Sequence, residues 1–269
     1  MTTSPVEVGD VAPGEVTARP RRPPQLRWWK ELGYIVAFYL VYSFIRNQFG
    51  SEAVGADTAF ANARKVIDLE QALASYVEGS IQQEFLDDRW FIQFWNLFYG
   101  TFHFVVTAAG IVYLFTRAPW RYVRWRTTLA VTTALALIGF ATFPLMPPRL
   151  LPATYGFVDT LRDYGGLWSF DSGAMQKVSN QYAAMPSLHF AWSTWCALVF
   201  IPSLRRPWAK ALAAVYPVLT LFAIVVTANH FWIDAAGGAV ILALGWLAGS
   251  WWDRRTSPGR PEPEASALE

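Results

Sequence analysis

Six long apolar runs are the feature that most limits how this chain can fold. They cover residues 32–49, 90–115, 127–143, 187–201, 208–227 and 233–252, and the fourth is the shortest. A helix needs about 20 apolar residues to cross the hydrocarbon core of a bilayer, which is roughly 30 Å thick. The chain is 54% apolar and only 16% charged. We therefore predict an all-α polytopic membrane protein, a bundle of six transmembrane helices.

Arginine and lysine residues are concentrated in four segments that alternate with the predicted spans. Such residues favour the cytoplasmic side of short loops. Six spans put all four segments on one side, so we predict a cell-membrane protein with both termini cytoplasmic and the two longer connections outside. The cations flank spans and accompany no nucleic-acid-binding signature, so we expect no nucleic-acid partner. The segments contain Arg19, Arg21, Arg22, Arg27 and Lys30; Arg117, Arg121, Arg124 and Arg126; Arg205, Arg206 and Lys210; and Arg254, Arg255 and Arg260.

The two ends of the chain differ in composition from the apolar middle. Residues 1–27 are rich in proline and arginine and lack apolar periodicity, which is typical of a disordered tail. We predict disordered cytoplasmic tails at 1–27 and 254–269, and one membrane domain at 28–253. Within that domain, residues 51–89 are acidic, with apolar residues spaced by three or four. This spacing predicts an amphipathic helix on the outer membrane surface or over the mouth of the bundle, with a substrate-gating lid as the alternative.

A polar connection of about forty residues joins the third and fourth runs. Residues 145–182 contain several prolines and glycines that interrupt regular structure, and a loop this long between spans is often functional. Its cations are Arg149, Arg162 and Lys177. Arg149 is the most constrained of the three, because prolines lie on both sides of it. We predict a long outer loop with Arg149 and Lys177 as phosphate-binding residues; a snorkelling role at the membrane interface is the alternative for Arg149.

The motif Met185-Pro186-Ser187-Leu188-His189 marks the point where this loop meets the fourth run. Proline is tolerated in the first turn of a helix, so Pro186 predicts a helix start with Ser187 and His189 on its first turn. The free N–H groups and the dipole of a helix N-terminus favour an anion, commonly phosphate. A histidine beside that anion can donate a proton to an ester oxygen.

A second motif, Asn229-His230-Phe231-Trp232-Ile233-Asp234, lies between the fifth and sixth runs. Residues four apart share a helix face, so His230 and Asp234 are within contact reach. A carboxylate bonded to one imidazole nitrogen fixes the tautomer and leaves the other nitrogen free as a nucleophile. The predicted topology brings His189 and His230 to the same membrane face.

Other interpretations apply to these histidines. Two histidines and a carboxylate could bind a metal ion. The serine at the helix start and the nearby Arg149 suit phosphate better, so we predict no metal and no cofactor. His103 lies in the second run, and we interpret it as a residue that forms a hydrogen bond between helices, with chemistry as the less favoured alternative.

At these residues the chain resembles the type-2 phosphatidic acid phosphatase superfamily, in particular its inositol phosphorylceramide synthase-like branch. Members carry a basic block, a Pro-Ser-Gly-His block, and a Ser-Arg block followed by His and Asp. Pro186-Ser187-Leu188-His189 matches the second block with Leu188 for glycine, as in the synthase-like branch. His230 and Asp234 match the third block. The resemblance extends over about residues 90–250.

The resemblance implies roles for individual residues. His230 would be the nucleophile that forms phosphohistidine, Asp234 would orient it, His189 would protonate the leaving oxygen and Ser187 would bind phosphate. Arg149 would stand in for the arginine of the first block, in which Thr142 and Leu150 replace lysine and proline. Ala223 and Ile224 occupy the Ser-Arg positions, so the loop must supply the second cation, Lys177 or Arg162.

Three functions agree with these residues. The first is an integral-membrane phosphatase acting on a lipid phosphate or diphosphate. The second is a transferase that passes the phosphoryl head group to an alcohol such as inositol. The third is a non-catalytic phospholipid carrier, which the complete set of His189, His230 and Asp234 argues against, because a binding protein needs cations more than a nucleophile and an acid.

Overall fold

The computed structural model describes residues 26–49, 55–165 and 181–256, and in these ranges the chain is helical. Most of the two predicted tails and Lys177 lie outside the described residues. The last helix, which ends at Thr256, extends past the domain boundary predicted at residue 253. The α-helices are α1 Trp28–Phe49, α2 Ala56–Ala72, α3 Glu78–Phe85, α4 Arg89–Arg117, α5 Pro119–Thr142, α6 Thr160–Asp163, α7 Leu188–Phe200, α8 Pro207–Val226 and α9 Trp232–Thr256.

The long helices form a bundle around α7, whose neighbours are α4, α8 and α9. Helix α9 also packs along α5 at close range, where Gly245 and Gly249 face Thr132 and Thr128. A Cβ atom at either glycine would collide with the α5 backbone. Small residues at a helix interface let two backbones approach closely, which is a common packing mode in membrane proteins.

Three helices in the described part of the chain are long and apolar enough to cross a membrane: α4, α8 and α9. The prediction of membrane-spanning length and apolarity is therefore confirmed for three of the six runs. The other three runs also form helices, α1, α5 and α7, which are not among the helices long and apolar enough to cross a membrane. Helix α7 has 13 residues and is about 20 Å long at about 1.5 Å per residue, which is less than the hydrocarbon thickness.

Large apolar side chains on the outer surface of the bundle are exposed. In water the exposure of such an apolar surface would be unfavourable, whereas in a bilayer the lipid tails contact it favourably. The surface agrees with the membrane character that the apolar runs predicted. Examples with more than half of the side chain exposed are Phe104, Val105 and Val112 on α4, Leu212 and Val218 on α8, and Val240 and Leu247 on α9.

The acidic segment predicted as one amphipathic helix is two helices, α2 and α3, so that prediction was wrong in its continuity. Ala74 has φ of 53° and follows Leu73, the C-terminal cap of α2. The N–H of Ser75 then bonds to the carbonyl of Glu70 at 2.8 Å, the arrangement that ends many helices. The left-handed residue turns the chain, so α3 starts in a new direction.

Helices α2 and α3 cover the end of the bundle at which α4, α7 and α9 begin. The apolar face of α2 packs against the segment after α5 and against Phe231, which precedes α9. The side chain of Asn62 donates to the carbonyl of Pro144, and the amide of Met146 donates to the carbonyl of Ala59. The amphipathic segment thus lies over the mouth of the bundle.

The described part of the long connection, through Gly165, is held by side chains from the helices. Gln82 of α3 makes two reciprocal bonds with the backbone of Val158, at 2.9 and 3.0 Å. Asn96 of α4 bonds to the backbone and hydroxyl of Thr160. Asn96 is buried, which agrees with the expectation that a polar residue in a span faces the protein interior.

Candidate functional site

The pair formed by His230 and Asp234 occupies the junction between α8 and α9. Nδ1 of His230 lies 3.1 Å from Oδ2 of Asp234. The same Oδ2 accepts the backbone N–H of Phe231 at 3.1 Å, so it acts as an acceptor, and we assign the proton to Nδ1 of His230. Both side chains are almost fully buried. The contact that the spacing predicted is present, and Nε2 of His230 carries the free lone pair.

The chain reaches this junction through a tight turn at the end of α8. Ala228 has φ of 53°, and the amides of Asn229 and His230 both donate to the carbonyl of Ile224. The turn holds His230 next to the helix end instead of leaving it on a loose loop.

Ser187 is the N-terminal cap of α7, whose first helical residue is Leu188. The prediction that Pro186 starts the helix was wrong by two residues, because the hydroxyl of Ser187 accepts the N–H of Phe190 at 3.4 Å and caps a helix that begins at Leu188. Ser187 is fully buried, and its hydroxyl retains a hydrogen to donate. His189 lies in the first turn of α7, as predicted. The N–H groups of Leu188 and His189 have no acceptor in the described part of the chain.

The starts of α7 and α9 are joined directly. The backbone N–H of Ser187 donates to the carbonyl of Asp234 at 2.9 Å. Gly237 and Gly238 of α9 lie against Pro186 and Ser187, and a Cβ at Gly238 would collide with the carbonyl oxygen of Ser187. The two glycines therefore allow α9 to pack closely against the start of α7.

Three aromatic rings surround the partly exposed His189. The ring of Tyr99 on α4 stacks on it with centroids 4.2 Å apart and planes 21° apart. The ring of His103 meets it at 4.2 Å with planes 60° apart, and the centroid of His230 is 5.4 Å away. The two histidines that the topology was predicted to bring together are neighbours, and α4 supplies a wall beside them.

His103 does not form the predicted hydrogen bond between helices. Its Nδ1 lies 2.9 Å from the carbonyl of Tyr99, one turn earlier on α4. Because this carbonyl can only accept, Nδ1 carries the proton. The contact of His103 with another helix is the ring contact with His189 on α7. The interpretation of His103 as a residue that forms a hydrogen bond between helices was therefore wrong, because its partner at Nδ1 is in its own helix.

Arg149, in the loop after α5, is hydrogen-bonded to the two residues that precede His230. Its amide donates to the carbonyl of Ala228, and its Nε donates to Oδ1 of Asn229, the residue before His230, at 2.9 Å. Its Nη1 donates to Oδ2 of Asp159 at 2.9 Å, and both side chains are only 11% exposed. Its Nη2 makes no hydrogen bond among the described residues. A guanidinium held in this way has a fixed direction and a donor to spare.

The other cations named from the sequence are not brought to the pair. Lys177 lies outside the described residues. The side chain of Arg162 is 61% exposed and pairs with its neighbour Asp163. Ala223 and Ile224, at the positions of the missing Ser-Arg pair, are fully buried in α8. Among the described residues, no group of three or more His, Cys, Asp or Glu side chains is arranged to hold a metal ion.

Sequence reasoning missed three residues that shape the site: Tyr99, Asn229 and Asp159. Asn229 is adjacent to His230 in the second motif, and its position beside a candidate nucleophile was an available signal. Tyr99 is a polar residue within the second apolar run, and such residues tend to face the interior of a bundle. Asp159 carried no signal, because its partner Arg149 lies in a different part of the loop. Asp159 also caps α6 through the N–H of Arg162, which ties the position of Arg149 to a short helix.

Comparison with known proteins gives one match. A family model described as the PAP2 superfamily matches residues 64–248, more than half of the chain. The match includes α4, the loop carrying Arg149, both histidine motifs and most of α9. No curated protein and no solved structure matches the chain.

Proposed function

Because the chain belongs to the PAP2 superfamily, we propose that it is an integral-membrane phosphatase or phosphotransferase acting on a lipid phosphate or diphosphate through phosphohistidine. Membership indicates phosphoryl-transfer chemistry in general. The finer assignment to a lipid substrate and a histidine nucleophile is our inference. We further propose the synthase-like branch, on the basis of Leu188 in the second block.

The observation that carries the proposal is the convergence of complementary groups at one point. The junction of α8 and α9 supplies a histidine oriented by a carboxylate. The start of α7 supplies a second histidine, and the loop after α5 supplies a guanidinium with a spare donor. Phosphoryl transfer needs little beyond a positioned nucleophile, charge stabilisation and an acid for the leaving group. A structural role would not require all three at one place.

In the first step, Nε2 of His230 attacks phosphorus while the bond to the lipid oxygen breaks. Asp234 retains the proton on Nδ1 and stabilises the positive charge that develops on the imidazole. His189, protonated at the start, gives its proton to the departing oxygen. The product alcohol, or the shorter phosphate in the case of a diphosphate, leaves, and the phosphoryl group remains on His230.

In the second step, an acceptor hydroxyl attacks the phosphohistidine. The now neutral His189 takes the proton of that hydroxyl, and the bond between phosphorus and Nε2 breaks. Water as acceptor yields inorganic phosphate, while an alcohol such as inositol yields a transferred head group. The spare Nη2 of Arg149, the hydroxyl of Ser187 and the first N–H groups of α7 are suited to the phosphoryl oxygens. Lys177 is the proposed additional cation.

We propose that the lipid chains remain in the bilayer and that the phosphate enters from the outer face. The helix starts of α7 and α9 share one end of the bundle, whereas the arginine-rich ends of α4 and α9 are at the other. In this arrangement α1, α5 and α7 join α4, α8 and α9 as a six-helix bundle, with both termini cytoplasmic and the α2–α3 layer outside.

The test of the proposal is phosphate release from a panel of lipid phosphates and diphosphates by the purified protein, with and without free inositol. Released phosphate supports the phosphatase. Transfer of a labelled head group to inositol without release supports the transferase. If neither occurs while the protein still binds vesicles that contain lipid phosphate, the carrier replaces both.

Loss of the Arg149 guanidinium should weaken catalysis strongly. We expect Arg149→Ala to lower kcat/KM by about 10² to 10³-fold, the range seen when one donor to a developing charge is removed. Arg149→Lys should recover little, because an ammonium cannot hold Asn229 and Asp159 at once. The measurement is kcat/KM on the best lipid of the panel.

The matched control for that prediction is Arg162→Ala, which removes an arginine from the same loop. Arg162 is largely exposed and pairs with Asp163, and a surface ion pair contributes about 1 kcal/mol or less. Equal losses in the two variants would contradict the assignment of phosphate binding to Arg149.

Cysteine labelling tests the orientation of the bundle. We expect Thr154→Cys, at an exposed position of the loop near Arg149, to react with a membrane-impermeant maleimide in intact cells. Arg205→Cys, exposed between α7 and α8, should react only after permeabilisation, because the basic ends favour the cytoplasm. The native Cys196 is buried, so we expect it to contribute little background labelling. The reverse pattern would invert the proposed topology.

A further inference from the structure

Two buried glutamates lie beside the start of α9 and take no part in the chemistry described above. Glu70 belongs to α2 and Glu78 is the first residue of α3, and both are 0% exposed. A carboxylate is costly to bury unless hydrogen bonds compensate for the lost water. The hydrogen-bond partners of Glu70 and Glu78 therefore indicate the role of these two residues.

Both carboxylates accept hydrogen bonds from the first turn of α9. Oε1 of Glu78 accepts the backbone N–H of Trp232 at 2.9 Å. Oε1 of Glu70 accepts the backbone N–H of Ile233 at 3.2 Å. The first N–H groups of a helix have no partner within the helix and are usually satisfied by a Ser, Thr, Asp or Asn cap. Here the preceding residue is Phe231, whose side chain cannot accept, so two other helices supply the cap.

A third bond fastens the same turn. The indole Nε1 of Trp232 donates to the carbonyl of Ser75, in the turn between α2 and α3, at 3.0 Å. Glu78 is itself held, because its Oε2 accepts the N–H of Val77 at 3.1 Å. The first turn of α9 is thus tied to the α2–α3 layer at three points.

The tied residues are next to the reacting pair. Asp234 directly follows Ile233, and its carboxylate holds both the N–H of Phe231 and the imidazole of His230. We propose that Glu70 and Glu78 are positioning residues that hold the first turn of α9 and thereby keep Asp234 and His230 in their productive geometry. This inference rests on the proposed function. Glu70 and Glu78 act through α9 and do not contact the substrate.

The pKa values of Glu70 and Glu78 are shifted by their surroundings. Burial and the charge of Glu78 raise the pKa of Glu70 to about 8, and the charge of Asp234 on α9 adds to this rise. Burial also raises the pKa of Glu78, which the N–H of Trp232 opposes. The remaining titratable neighbour is Tyr76, whose pKa burial and the two glutamates raise to about 12, with a smaller contribution from Tyr155.

The sign of the pH dependence is set by Glu70. Its pKa is raised from 4.5 to about 8, so the folded protein holds this proton over that range. The associated stabilisation is complete below pH 4.5 and is lost as the pH rises through about 8. Above that pH, two negative charges face each other beside Asp234. We therefore expect activity to fall near pH 8 as the first turn of α9 loosens.

The kinetic test uses four variants of the full-length protein. We expect Glu70→Ala and Glu78→Ala to lower kcat by about tenfold to a hundredfold with little change in KM, because a small displacement of reacting groups costs about this much. Glu70→Gln keeps an acceptor and cannot ionise, so it should retain kcat at neutral pH and lose the fall near pH 8. Glu84→Ala, an exposed glutamate of α3, is the matched control and should behave as wild type.

Hydrogen exchange of residues 228–238 in detergent gives a readout that does not need activity. Exchange there should be faster in both alanine variants than in wild type and Glu84→Ala. If wild type neither releases phosphate nor transfers a head group, the proposed function fails, and hydrogen exchange still decides whether Glu70 and Glu78 hold the first turn of α9. Wild-type kcat in both alanine variants of an active enzyme, or unaltered exchange in both, would overturn the inference.

Discussion

Replacing His230 with alanine is expected to remove phosphate release, lowering kcat by about 10⁴-fold or more. This magnitude follows from other enzymes in which a covalent intermediate is formed, where loss of the nucleophile leaves only binding and charge stabilisation. The substitution also removes the partner of a fully buried carboxylate, so the unfolding temperature must be measured beside the rate. A folded and inactive variant is the expected result.

The same variant separates the enzyme from the carrier. His230→Ala leaves Arg149, Ser187 and the start of α7 in place, so binding of vesicles that contain lipid phosphate should persist. Wild-type protein incubated with substrate labelled in the phosphoryl group should carry a label that is labile to acid and stable to alkali, the behaviour of phosphohistidine. The variant should carry none. Retained activity without His230 would assign the nucleophile elsewhere.

Replacing Asp234 with asparagine is the second large effect, with kcat expected to fall by about 10³ to 10⁴-fold. An amide oxygen can still accept the N–H of Phe231, but without the negative charge it no longer favours the proton on Nδ1 or stabilises the charged ring. KM should change little, because Asp234 is fully buried and holds the nucleophile rather than the substrate.

The fold should survive the Asp234→Asn substitution. The bond that joins α9 to α7 uses the backbone carbonyl of Asp234, which an asparagine retains. The matched control is Asp163→Asn, the same change at an exposed residue on the α2–α3 side, which should leave kcat unaltered. Because the two site residues act as a unit, the double variant His230→Ala, Asp234→Asn should be no slower than His230→Ala. A kcat within threefold of wild type in Asp234→Asn would remove its orienting role.

The helices and the contact between His230 and Asp234 were predictable because both depend on local sequence patterns. An apolar run defines a helix through its own length and composition, and α4, α8 and α9 lie within a few residues of the predicted bounds. His230 and Asp234 are only four residues apart, so the turn that leads into α9 and the first turn of that helix suffice to bring them into contact.

Local patterns failed where a single backbone angle or cap decided the outcome. The periodicity of residues 51–89 continues through the left-handed turn at Ala74, and alanine gives no warning of such an angle. Pro186 appeared to start α7, but the hydroxyl of Ser187 took the N–H that defines the boundary. A periodic pattern of apolar residues predicts which face of a helix is buried, but it does not predict where the chain turns.

By itself, the sequence determined that this protein is built of apolar helices. It also determined that a histidine and a carboxylate four residues apart lie within contact reach. Only the tertiary structure decided what surrounds them. Arg149 meets Asn229 across 80 residues, and Glu78 and Glu70 reach Trp232 and Ile233 across 154 and 163. The physical reason is that a buried polar group must find a partner wherever the packed chain offers one, and that choice depends on the path of the whole backbone.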